Sequence, residues 1–226
     1  METRTQSIAA ALNDENGNKR RTTRTWVWSN VVIMHTLVKY MEPQTRYGEL
    51  VKALDLSMIY PHWDRILEMQ RQNYVDTIIQ LIASSCVNTK TLNLEMCKML
   101  PAPSFVKLFA DNSQLRNSLT ELDLTHVEAS DTEIEAFIRL FPKLERLSLG
   151  GTEADIVTRT TIAKCLPRLR FLDLSHSYEI DDECVRVIAK SCKDLRYLNI
   201  FNCRSIQTED VSGMLEKLGA SIHVSR

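Results

Sequence analysis

The sequence predicts an α/β fold, a short solenoid with a curved parallel sheet on its inner side and helices on its outer side. Two patterns and one bulk property predict it. The string L-x-x-L-x-L recurs at Leu119/Leu122/Leu124, Leu144/Leu147/Leu149 and Leu169/Leu172/Leu174, then with isoleucine last at Leu195/Leu198/Ile200. In L-x-L the period of two sends both leucines to one face of a short strand and the residue between them to the other. Between copies the apolar spacing becomes helical, as in Ile134, Phe137, Ile138 and Phe141. One strand-turn-helix unit cannot bury its own apolar face, so the units must stack. With 226 residues, 44% of them apolar, the chain is long enough to build such a core.

The elements follow in order. From Asn13 to Arg24 no residue is apolar, and residues 1–25 are expected to form a flexible tail. Its cluster Lys19, Arg20, Arg21 and Arg24 is either a nuclear address or simply solvated charge. From Trp26 to Met41 apolar residues cover nearly the whole helical wheel, which suits a helical cap over residues 26–46 that is itself covered on most sides. Residues 47–226 carry the repeats. Looser copies stand at Val51/Leu54/Leu56 and Thr89/Leu92/Leu94, and a degenerate one closes the chain around Ile222 and Val224. The central residue advances through Leu54, Leu92, Leu122, Leu147, Leu172, Leu198 and Ile222, in steps of 38, 30, 25, 25, 26 and 24. About six parallel strands are expected. The long first step carries Pro61 to Asn73, which must loop out or add a convex helix. Ser130-Asp131 supplies an N-cap ahead of the first regular helix. The same layout recurs with Ile156, Ile162 and Leu166, with Val185, Ile188 and Ala189, and with Val211, Met214, Leu215 and Leu218. Pro142 and Pro167 stand just before the next strand, where a helix must stop. A period in the twenties with this string is the signature of a leucine-rich repeat.

Composition narrows the function classes. Lys and Arg number 28 against 29 Asp and Glu, a formal charge of −1, so the average gives no field for binding nucleic acid or anionic lipid. No apolar run approaches the roughly 20 residues that cross a bilayer, nor the core of a signal peptide, so a cytoplasmic or nuclear location is expected. The six cysteines contain no C-x-x-C pair and read as small buried hydrophobes, with neither disulfide nor zinc expected. No Gly-rich phosphate loop, H-E-x-x-H or G-x-S-x-G occurs, and no cofactor or catalytic residue is expected. Gly150-Gly151 reads as a turn after a strand. His126 and His176 stand at equivalent positions near Asp123 and Asp173, a coincidence that the repeat itself explains without a catalytic relay.

The blocks SLTELDLTHVEASDTEIEAFIRLFPKLERLSLGGT and LRFLDLSHSYEIDDECVRVIAKSCKDLRYLNIFNC resemble the cysteine-containing leucine-rich repeats of F-box proteins, with Cys203 and Cys97 after their strands. Trp28, Leu37 and the run YGELVKALDLS from Tyr47 to Ser57 look like the approach to the repeats in fungal members and in the related antagonists of mitotic exit. The resemblance covers Trp26 to the C-terminus. It implies selection of substrates for a Skp-cullin-F-box ubiquitin ligase, with Skp adaptor and cullin as partners. An F-box opens in that family with Leu-Pro and apolar helices, and none is visible ahead of Trp26. The expectation therefore divides between ligase substrate recognition and an F-box-free regulator that binds and blocks a cell-cycle or signalling partner, with an enzyme as a distant third class.

Binding has a predicted place. Outward residues of the strands form columns across the sheet. Just ahead of the central leucine stand Ala53, Thr91, Glu121, Arg146, Phe171 and Tyr197; between the leucines stand Asp55, Asn93, Asp123, Ser148, Asp173 and Asn199; after them stand Ser57, Glu95, Thr125, Gly150, Ser175 and Phe201. The Asp/Asn column is largely a feature of the repeat. Phe171, Tyr197 and Phe201 point away from the leucine core, and with Arg146, Arg170 and Arg196 they have the composition of an interface hot spot for an acidic or phosphorylated protein segment. The alternative is that the chain's own tail or a loop covers these strands.

Overall fold

The computed structural model describes residues 51–55, 85–96, 113–154, 156–207, 211–217 and 223–225. The expected tail, the helical cap, the segment Pro61 to Asn73 and Cys97 lie outside the described residues. Seven strands pair in chain order, all parallel: β1 (Ala53–Asp55), β2 (Thr91–Asn93), β3 (Glu121–Asp123), β4 (Arg146–Ser148), β5 (Phe171–Asp173), β6 (Tyr197–Asn199) and β7 (His223–Ser225). Five described helices connect them: α1 (Ser113–Ser118), α2 (Asp131–Leu140), α3 (Ile156–Cys165), α4 (Asp182–Ser191) and α5 (Val211–Lys217).

The register brings every central leucine into one row, Leu54, Leu92, Leu122, Leu147, Leu172 and Leu198, each 2% exposed or less. Burying each of these side chains is worth about 1.5–3 kcal/mol. The helices close over the same row, since Ile134, Phe137 and Ile138 of α2, Ile162 of α3, Val185 and Ile188 of α4, and Val211 and Leu215 of α5 belong to one core with it. Phe141, just past α2, packs edge-on against Phe137 with centroids 5.2 Å apart. The other face of the sheet is left to the outward columns.

The chain exceeds the expected six strands by β7. Its central residue is Val224, which pairs with Leu198, so the last step is two residues longer than one centred on Ile222. The period-two alternation puts Ile222 and Val224 on one face, and only hydrogen bonding across the sheet selects between them. Helix α1 is a further finding. Its Leu115 is buried, and at its end the Ser118 hydroxyl donates to the carbonyls of Val87 at 2.8 Å and Thr89 at 3.0 Å, tying two repeats together.

The turn after each strand repeats a second regularity. Met96, His126, Gly151, His176 and Asn202 all have φ between 56° and 65°, the left-handed region. Four of the five are not glycine, and such a residue carries a cost of about 1 kcal/mol or more. The return is a bond to the next repeat: the N–H groups of Met96, His126, Gly151 and His176 donate to the carbonyls of Thr125, Gly150, Ser175 and Phe201 at 2.7–2.8 Å. The three-residue strands are thereby extended by a ladder of turns.

Candidate partner-binding face

The column ahead of the central leucines is an unbroken row of side chains across β3 to β7. The Arg146 guanidinium lies over the Phe171 ring with Cζ 4.1 Å from its centroid. Phe171 and Tyr197 stack with centroids 4.8 Å apart and planes within 2°. Tyr197 in turn stacks on His223 at 5.4 Å and 29°. At the other end Arg146 Nε stands 4.0 Å from the Glu121 carboxylate, a largely exposed pair of small energetic weight. The cause is register. Neighbouring strands lie about 4.8 Å apart, which is close to aromatic stacking distance, so aromatic residues in one column of a parallel sheet meet face to face.

Stacking consumes the ring faces and turns the edges outward. Ring edges carry the positive end of the aromatic quadrupole. With Arg146 at one end and a Tyr197 hydroxyl that makes no hydrogen bond among the described residues, the row offers partly positive groups and one donor to an incoming ligand. The cation–π contact contributes about 0.5–1 kcal/mol at such an exposed site and each ring pair about 0.5–1.5 kcal/mol, enough to hold the row in one geometry before anything binds.

The predicted site residues separate into two groups. Arg146, Phe171 and Tyr197 are brought together as described. Phe201 is 52% exposed but lies two columns away, at the rim where strands end, with its ring edge-on to His176 at 5.5 Å. Arg170 and Arg196 sit one position ahead of the aromatics, where strands begin. Arg170 pairs with Glu145 at 3.7 Å, and Arg196 turns back to the carbonyls of Lys193 at 3.3 Å and Leu195 at 3.1 Å. The expected convergence of all six residues is corrected on this point: adjacent positions on an extended chain point in opposite directions, so arginines next to the aromatics in sequence are not beside them in space. Sequence reasoning missed His223. Taking Val224 as the centre of the last repeat places it in the Phe171 column.

The Asp/Asn column serves the fold, as its periodicity suggested. Asn93, Asp123, Asp173 and Asn199 each accept, through Oδ1, the backbone N–H two residues on, at 2.8–3.0 Å. Asn199 Nδ2 also donates to Asp173 Oδ2 at 2.9 Å. The carboxylates near His126 and His176 are thus committed to turns, and His176 Nδ1 meets Asn202 Nδ2 at 3.0 Å instead. His126 fills the space above Gly151, where a Cβ would stand 2.2 Å from its Nδ1.

Four of the five described cysteines, Cys86, Cys184, Cys192 and Cys203, are part of the core, and Cys165 is partly exposed. Burial pushes the Cys86 thiol up to about 12 and the Cys192 thiol up to about 11, and also raises Cys203. Cys203 lies just beyond the strand, as expected, and its Sγ donates to the Leu174 carbonyl at 3.0 Å. All five described cysteines are free thiols. Among the described residues no three His, Cys, Asp or Glu side chains are grouped to hold a metal ion, and no helix is long and apolar enough to cross a membrane.

A parallel sheet built one strand per repeat, with a leucine row on one face and helices closing over it, defines the fold as a leucine-rich-repeat solenoid. Two curated relatives are similar to the chain in sequence. The chain is 29% identical over 152 residues to DNA repair protein rhp7 of Schizosaccharomyces pombe, covering 66% of this chain and 26% of that protein. It is 26% identical over 147 residues to F-box/LRR-repeat protein 4 of Bos taurus, covering 63% of this chain and 23% of that protein. The chain therefore spans about a quarter of the length of the curated relatives it matches. No family model matches it.

Proposed function

We propose that this chain is a non-catalytic protein-recognition module that presents Arg146, Phe171 and Tyr197 to a partner, in the cytoplasm or nucleus. The observation that carries the reading is the pre-formed row from Arg146 to His223 on the open face of the sheet. Aromatic and arginine side chains held rigid before binding lose little entropy on docking, the property of interface hot spots. The role we favour is choosing substrates for a Skp-cullin-F-box ubiquitin ligase, the role the resemblance of the repeats implies and one in keeping with a relative named as an F-box/LRR-repeat protein. A second reading is an F-box-free regulator that binds and blocks its partner; the other relative is named as a DNA repair protein and not as an F-box protein.

Affinity purification of the full-length chain from cells separates these readings. Skp adaptor and cullin should be recovered together with a further protein that Phe171→Ala and Tyr197→Ala lose. Absence of adaptor and cullin, with the further protein still lost from both variants, supports the regulator. Equal recovery of every protein by wild type and both variants would remove the row as a recognition site.

A further inference from the structure

The near-zero net charge conceals a separation. Because all seven strands are parallel, every turn that precedes a strand lies along one rim of the sheet and every turn that follows one lies along the opposite rim. The turns ahead of β4, β5 and β6 (residues 142–145, 167–170 and 193–196) carry five cations, Lys143, Arg168, Arg170, Lys193 and Arg196, against two anions, Glu145 and Asp194, a net +3. The turns after β3, β4 and β5 (residues 125–130, 150–154 and 175–180) carry Glu128, Glu153 and Glu179 and no lysine or arginine, a net −3. Helix macrodipoles favour cations at helix C-termini and account for Arg139, Lys164 and Lys190 in the last turns of α2, α3 and α4. They do not account for Lys143, Arg168 and Lys193, which lie beyond the helices, are exposed, and form no ion pair among the described residues.

We infer that the rim at which β4, β5 and β6 begin is a second docking surface, one that takes an acidic, Asp/Glu-rich segment of a protein. Charge complementarity selects an anion, and the width of the sheet selects its kind. Only about 10 Å of strand separates the basic rim from the acidic one, whereas one groove of a DNA duplex is about 12 Å wide. A duplex laid on the basic rim would bring its phosphates within about a Debye length, 8 Å, of Glu128, Glu153 and Glu179. A single extended peptide follows one rim without meeting the other.

The test measures fluorescence anisotropy of a labelled polyglutamate peptide, and of a single-stranded oligonucleotide of equal charge, with the full-length protein across a salt series. Polyglutamate should bind more tightly than the oligonucleotide and weaken as salt rises. The triple variant Lys143→Glu, Arg168→Glu, Lys193→Glu should lose at least about tenfold in affinity with its melting temperature unchanged. The double variant Phe171→Ala, Tyr197→Ala should retain polyglutamate binding, so that failure of the rim and failure of the row are told apart. Undiminished polyglutamate binding by the triple variant overturns the inference. So does tighter binding of the oligonucleotide, which would make the rim a nucleic-acid surface, or concentration-dependent self-association abolished by the triple variant, which would make the acidic rim of a second copy its occupant.

Discussion

At Gly151 a single added methyl group is costly. Its φ is +65° and a Cβ would collide with the His126 ring, so Gly151→Ala combines backbone strain with a steric conflict. A loss of about 1–3 kcal/mol is expected in urea unfolding. His126→Ala should restore part of it, because only the ring conflict is relieved; no recovery in the double variant would place the whole cost in the backbone. At the binding row, Phe171→Ala and Tyr197→Ala should each weaken partner binding by about 1–3 kcal/mol. Stability should fall by no more than the ring-pair energy, since both side chains are half-buried and outside the leucine core. Glu95→Ala, in an early repeat and two columns away from the row, is the matched control and should leave affinity unchanged. The buried thiols give a pH signature of their own. Above about 9 the unfolded chain ionises its cysteines while Cys86 and Cys192 stay protonated, so the folded state holds more protons and stability falls as pH rises towards 11 and 12. Cys86→Ala should flatten that decline in unfolding experiments run between pH 8 and 10.

Helices α2, α3 and α4 each have a side chain that answers unpaired N–H groups at their start. At α4 the Asp181 carboxylate accepts the Cys184 N–H at 2.7 Å. At α2 the Ser130 N–H donates to Glu133 Oε2 at 2.9 Å, so the two residues close the start of the helix on each other. Asp131, one residue further, accepts the Thr158 N–H of α3 at 3.0 Å as well as its hydroxyl, and thereby joins two neighbouring helices. Asp181→Ala should cost about 1 kcal/mol, the usual worth of an N-cap. Asp131→Ala should cost more than a cap alone, because the buried Thr158 hydroxyl then loses its carboxylate partner and keeps only the Asp131 backbone carbonyl at 3.4 Å. Thermal melts of the two variants compare these directly; an equal loss would mean that the interhelical bond adds nothing.

For the whole molecule, stability is a property of stacking. Each repeat is held by its neighbours, so a break in the middle disconnects both halves. Leu147 lies in the central row and is fully buried. Leu147→Asp would place an unpaired charge there at a cost on the order of several kcal/mol, and loss of the cooperative transition in circular dichroism is the expected outcome. A charged variant that still melted as one sharp transition would show that the repeats are not coupled through this row. The same stacking gives the molecule its two rims of opposite charge, so a ligand meeting this sheet approaches a surface with a direction built in.

The sequence by itself determined the architecture and the row of buried leucines. A repeated string leaves one way for each unit to hide its apolar face, and that way depends only on local periodicity. It also determined which residues stand in each outward column from β2 to β6. Tertiary structure alone decided what those columns do. Pairing across the sheet chose Val224 over Ile222 as the centre of β7 and so added His223 to the aromatic row, because alternation fixes a face and not a register. It left Arg170, Arg196 and Phe201 out of that row, because closeness along an extended chain does not bring side chains together across it. It also sorted an evenly balanced set of charges into a basic and an acidic rim, since only a parallel sheet gathers every turn that precedes a strand on one side.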